Sequence, residues 1–228
     1  MPKLEKEIQK RFFDNLINQS EDFENSAIEV YQKLVFQRYY EVIKNSFPLF
    51  MKEIEKEDLD KSIKAFMKDT PNTPFMWKVP KYYKNFVKKS ALFDDKKYLY
   101  ELLYFDWTEI EIYMKEYKSK KLGSFSFNES FKLSKSARVK RFKYDIVNKN
   151  YKEKRENFLV IYYDFQTNEV IYREINQLIY LLLKESKKSK TFKEILQKLC
   201  KANDIVYKEA ENLLFKPLEE LFEKRVFI

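Results

Sequence analysis

Residues 158–175 read FLVIYYDFQTNEVIYREI. Two runs rich in β-branched and aromatic residues, FLVIYY (158–163) and EVIYREI (169–175), flank the turn formers of DFQTNE. This pattern predicts a β-hairpin. In the first run Leu159, Ile161 and Tyr163 alternate with Phe158, Val160 and Tyr162, so both faces are apolar or aromatic. In the second, Val170 and Tyr172 share one face while Ile171 and Arg173 share the other. A hairpin buried on one face alone would alternate with polar residues. Both faces are therefore expected to be covered. One cover is the helices of the same domain; the other is the N-terminal half, a bound peptide or a partner.

Three helical segments follow the hairpin, over 176–186, 192–202 and 206–223. The middle one opens with Thr191-Phe-Lys-Glu194, which has the spacing of a capping box. Pro217 is expected to kink or split the last, and the terminal RVFI is long enough for one short strand. A hairpin followed by three helices predicts a winged-helix-like or peptide-recognition-like domain over 156–228. Leader-recognition domains of this kind take a peptide as an extra strand at an open sheet edge.

Upstream, residues 119–155 form a basic connecting segment without clean periodicity, in which SFSF and FKYDIV read as short strands or extended links. Between 132 and 155 stand ten Lys/Arg against only Asp145 and Glu153, which accounts for nearly all of the chain's net charge of +9. Arg138, Lys140, Arg141 and Lys143 are the densest part. Such a patch fits phosphate backbones through counterion release, an acidic protein or peptide, or no partner, as a solvated linker.

The first half, 1–118, reads as a helical bundle. Apolar residues recur at Leu4, Ile8, Phe12 and Leu16, and Ser26–Glu29 has capping-box spacing before a helix over 27–45. Pro48 after Ser46-Phe47 sets a break or a new helix start, with Phe47 expected to plug the bundle. A helix over 57–69 ends at Thr70-Pro71, and Pro71 and Pro74 enforce an extended stretch. Pro80 starts a short helix through Lys89, and the last helix spans 96–117. Within it Asp106 lies among apolar positions and needs a partner or water. The fold class is thus α+β, mainly α: an N-terminal helical bundle and a C-terminal winged-helix-like domain.

Composition narrows the chemistry. The 228 residues include no histidine, so Ser-His-Asp and Cys-His nucleophilic sites and His-containing zinc or iron sites are excluded. The single glycine, Gly123, rules out a Gly-rich phosphate loop, and the single cysteine, Cys200, reads as a core thiol. Acidic residues are interleaved with lysines as solvated helix faces. No catalytic residues, metal ligands or cofactor are expected. The longest apolar run is too short for a membrane span, and the charged N-terminus lacks a signal-peptide core, so the expected location is cytoplasmic.

An ordered series of residues carries a family resemblance: Val30, Tyr31, Ser46, Phe47, Pro48, Thr70, Pro71, Pro74, Leu99, Leu102, Asp106 and Trp107. It continues through KLSKSARVKRFKYDIV (132–147) and ENFLVIYYDFQTNEVIYREI (156–175). The series resembles the HvfC/MbnC-like family, catalogued as DNA-binding-domain proteins and better described as partners of peptide-modifying metalloenzymes. The chain departs from relatives in having EIEKED where a loop glycine is common, and in lacking their histidines. The resemblance implies a noncatalytic partner or chaperone in the biosynthesis of ribosomally made, modified peptides. It would hold a precursor peptide and dock on an iron-dependent TIM-barrel enzyme, to which the metal and the chemistry would belong. The peptide is expected at Leu159, Ile161, Tyr163, Val170 and Tyr172, and the enzyme at Tyr104, Asp106 and Trp107. The alternatives are a DNA-binding regulator of winged-helix type and an interaction module with no peptide ligand. Residues 205–216 (IVYKEAENLLFK) weigh against the regulator, because Glu209 and Glu211 cancel Lys208 and Lys216 and leave Asn212 as the one base reader.

Overall fold

A computed structural model describes residue 7 and residues 27–69, 75–118, 123–186 and 189–228. Apart from residue 7, the segment with apolar residues at Leu4, Ile8, Phe12 and Leu16 lies outside the described residues, as do the cap at Ser26 and the Thr70–Pro74 break. The chain divides into two compact units, Met1–Trp107 and Thr108–Ile228.

The first unit contains α1 (Ala27–Ser46), α2 (Pro48–Glu53), α3 (Lys56–Asp69), a 3-10 turn (Met76–Lys78), α4 (Val79–Ser90) and the start of α5 (Lys97–Tyr113). In α3 the buried residues Leu59, Ser62, Ile63, Phe66 and Met67 recur at three- and four-residue spacing, the stripe that a core-facing helix requires. α4 answers with Val79, Tyr83, Phe86 and Val87. The core between them is aromatic. Phe47, Phe50 and Phe66 ring Tyr83, with Phe66 set edge-on at 5.4 Å between centroids. Such pairs are favoured beyond the area they bury. Tyr83 has no exposed surface, yet its hydroxyl lies 2.6 Å from Ser62 Oγ. Ser62 in turn donates to the Leu59 carbonyl at 2.7 Å. The phenol is therefore partnered, and burial holds it protonated far above its ordinary range.

The second unit is built on an antiparallel sheet of order β1-β2-β3: β1 (Ala137–Phe142), β2 (Asn157–Asp164) and β3 (Glu169–Ile175). The hairpin is present, in register from Phe158 opposite Ile175 to Asp164 opposite Glu169. The connecting segment proves to carry a third strand: β1 pairs with β2 from Ala137 opposite Tyr162 to Phe142 opposite Asn157. The helices are α6 (Gln177–Glu185), α7 (Phe192–Ala202) and α8 (Tyr207–Glu223). Ala137, Val160, Tyr162 and Ile175 share one core with Ile179, Leu183, Phe192, Leu196, Leu214 and Leu218. α7 begins with the complete capping box of Thr191 and Glu194. The C-terminal residues pair with the segment before β1, Leu133 opposite Phe227.

Two helix expectations need correction. α5 ends at Tyr113, not near 117. α8 is not split at Pro217 but runs on to Glu223. A helical proline orphans the carbonyl four residues earlier. Here that residue is Leu213, 71% exposed, so water can satisfy the freed acceptor.

Candidate functional site

β3 is one of the two outer strands of the sheet, β1 being the other. The Tyr163 N–H bonds the Ser136 carbonyl at 2.9 Å, so odd-numbered residues of β2 turn their backbone groups toward β1. Antiparallel alternation then turns the even-numbered residues toward β3, where they meet Ile171 and Arg173. The N–H and C=O of Val170 and Glu174 consequently face away from the sheet. This is an open edge of the kind that strand addition requires.

The five expected peptide contacts separate into two sets. Leu159 and Ile161 are buried, at 0% and 2% exposure, on a central strand with both edges paired. β1 occupies the edge that a two-stranded hairpin would have offered, so they serve the core. Tyr163 is half-buried and packs in a tilted arrangement, 5.7 Å between ring centroids, on Tyr117, which follows α5 in the chain. From the same stretch Glu111 pairs with Arg138 of β1 at 3.5 Å. Part of the second cover expected over the sheet is thus the unit's own 108–118 segment. Val170 and Tyr172 remain accessible on the outer strand, with Tyr172 45% exposed. Above the opposite face of the sheet, Arg173 pairs with Glu220 of α8 at 2.8 Å. Glu220 of α8 thus reaches a residue of the outer strand, and Leu213, two turns earlier on the same helix face, is exposed.

The expected enzyme-docking residues have a different geometry. Asp106 is 2% exposed, and its Oδ2 accepts the N–H groups of Leu49 (3.0 Å) and Phe50 (3.1 Å). Those groups are orphan donors of the first turn of α2, whose own N-cap, Phe47, supplies no side-chain acceptor. Asp106 is a borrowed helix cap. Trp107 is 8% exposed, and the Lys84 ammonium lies over its ring and that of half-buried Tyr104, at 5.7 and 5.4 Å. Asp106 and Trp107 are therefore placed for packing, and Tyr104 alone retains partial exposure.

The basic patch is largely tied down at its arginines. Arg138 pairs with Glu111, Arg141 with Glu156, and Arg155 with both Asp145 (3.0 Å) and Glu174 (2.8 Å). Lys140 is half-buried on β1 and Lys143 is exposed just beyond it. Sequence reasoning missed the two carboxylates that organise this unit. Burial works against ionisation of Asp145, but the Asn148 amide N–H and side chain and the Arg155 guanidinium outweigh it and hold the carboxyl below its usual range. Asp164, also buried, is held low by the Lys224 ammonium and the Gln166 N–H despite its desolvation. Asp145-x-x-Asn148 and Asp164-x-Gln166 are turn patterns, the one local signal that pointed to them.

Among the described residues no group of three metal-ligating side chains converges, and no helix is long and apolar enough to cross a membrane. No protein-family model and no curated protein matches the chain.

Proposed function

We propose that this chain is a noncatalytic binding partner that holds an extended peptide along the outer edge of β3, for modification by a separate enzyme. The outward N–H and C=O groups of Val170 and Glu174 carry this reading, because they supply a ladder on which a peptide forms a fourth strand. Peptide side chains on one face would meet Tyr172 and Val170. Those on the other would meet α8 near Arg173, Glu220 and Leu213. Main-chain bonds give affinity and these two walls give selection. The modifying enzyme, an iron-dependent TIM-barrel protein by the family resemblance, would supply metal and chemistry, while this chain contributes positioning. DNA regulation has weaker support, since Lys208 on α8 is paired to Glu211 at 2.8 Å and Glu211 also accepts from the Tyr207 hydroxyl.

The test is binding of the full chain to short peptides, any encoded beside its gene included, before and after Val170→Pro. Proline is tolerated on an edge strand when its N–H would face outward, so β2–β3 pairing survives while strand addition is blocked. Loss of at least about tenfold in affinity, with the thermal midpoint preserved, is the expected result. Undiminished peptide binding by the proline variant removes the edge as the site. Operator-selective duplex binding at moderate salt would replace the peptide with DNA.

A further inference from the structure

We propose that the β1–β2 loop, residues 143–156, is a preformed docking platform for the acidic surface of a partner protein. Adjacent antiparallel strands can be joined by two residues, so this connection is far longer than the sheet needs. Loops of such length are generally either functional or disordered, and this one is built to be ordered. Asp145 N–H bonds the Glu153 carbonyl at 3.1 Å, and Glu153 N–H bonds the Asn150 carbonyl at 2.8 Å. Beneath them Asp145 and Asn157 are 2% and 1% exposed. Asp145 accepts from the Asn148 amide N–H (3.1 Å), the Asn148 side chain (2.8 Å) and Arg155 (3.0 Å). Asn157 donates to the Tyr144 and Arg155 carbonyls and accepts from the Ile146 N–H. Ile146 and Tyr151 are buried as apolar anchors. Lys149 is even held at φ 63°, a conformation costly for any residue with a Cβ.

The ordered loop turns lysines outward. Lys143, Lys149, Lys152 and Lys154 are all exposed, against the exposed Glu153, while Arg141 and Glu156 pair with each other. A protein surface fits this display better than a nucleic acid. Arginine is the side chain suited to bidentate phosphate contacts, and Arg138, Arg141 and Arg155 are each engaged by carboxylates. Glu153 would also confront the evenly spaced phosphates of a duplex. Separate carboxylates on a protein can leave gaps opposite them. Steering by such a surface raises association rates and weakens with salt.

The inference stands apart from strand addition at β3. The probe is a synthetic helical peptide with one glutamate per turn along one face, titrated into the full chain at low salt. Binding should weaken about tenfold in the K149Q/K152Q/K154Q variant. The variant K44Q/K52Q/K81Q neutralises three exposed lysines of the first unit. It has the same net charge and should change binding by less than about twofold. In the unaltered protein, the peptide should protect Lys149, Lys152 and Lys154 from amine-reactive labelling. Equal weakening in both variants, or no protection, would show net charge at work and overturn the platform. Tighter loop-dependent binding of a duplex of matched charge would overturn the assignment to a protein partner.

Discussion

The two units meet the same demand, turning a chain that has one glycine, by opposite means. In the first, prolines interrupt the helices and a single carboxylate reaches across 56 and 57 residues of sequence to cap α2. The surrounding core is aromatic. In the second, turns are fixed locally by Asp145, Asn157 and Asp164, and each buried carboxylate is matched by a cation, Arg155 or Lys224. One unit is held by a long-range hydrogen bond inside an apolar core; the other is latched by charge at its rim. The first should therefore fail through loss of one group, and the second through loss of charge.

The largest effect is expected at Asp106. Removing its carboxylate strands one part-buried and one buried N–H group at the start of α2, so Asp106→Ala should cost about 3 kcal/mol. Asp106→Asn keeps an acceptor oxygen and should cost about half that. Both tryptophans, Trp77 and Trp107, lie in the first unit, so urea unfolding followed by tryptophan fluorescence reads that unit selectively. A loss below about 1 kcal/mol for the alanine variant would mean that the aromatic core alone holds α2 in place.

Next in size is Asp145. Its loss leaves Arg155 and two Asn148 donors without their shared acceptor, and Asp145→Ala should cost about 2 kcal/mol, read by the circular dichroism of the sheet and not by tryptophan emission. The pH response has a definite sign. Asp145 and Asp164 have folded pKa values below the ordinary carboxylate range, so their stabilisation is fully present above about pH 4 and is lost as pH falls through the folded values. Lys224 is shifted upward by its bond to Asp164, so its share is present below the ordinary lysine pKa and is lost as pH rises through the folded value. Acid titration of the D145N/D164N double variant should show a flatter stability profile than the parent. Matching profiles would place the acid-sensitive groups elsewhere.

How much of this was legible depended on whether the partner lay near in sequence. The hairpin, the Thr191–Glu194 cap and the helix over 192–202 were readable because periodicity and capping are local. Asp106 announced that it needed a partner, but its partners lie behind a turn that sequence spacing does not reveal. β1 was hidden by its charges. In ARVKRF only Ala137, Val139 and Phe142 are apolar, and Arg138 and Arg141 hold strand positions through Glu111 and Glu156, both outside the 119–155 segment. With β1 unread, the hairpin seemed to offer two edges, and Leu159 and Ile161 looked accessible when they are core. Val170 and Tyr172 lie on β3, one of the two outer strands, on the same face as alternation predicts.

The smallest effects should sharpen the contrast most finely, because both units place a residue with a Cβ in the left-handed region at a chain reversal. Ala91, just after α4, has φ 54°, and Arg225, after α8, has φ 57°. Glycine relieves roughly 1 kcal/mol of strain at such a position, offset by roughly 0.4–1 kcal/mol from the more flexible unfolded chain. Ala91 is exposed, so Ala91→Gly should be neutral to slightly stabilising, a rise of at most a few degrees in thermal midpoint. Arg225 differs because its guanidinium lies 5.3 Å from the Phe165 ring centroid, against the turn that Asp164 organises. Arg225→Gly forfeits that contact, worth about 0.5–1 kcal/mol, and should lower the midpoint instead. Opposite signs at two positions of like backbone geometry would show side-chain charge at work in the second unit alone. Equal signs would reduce both to backbone strain.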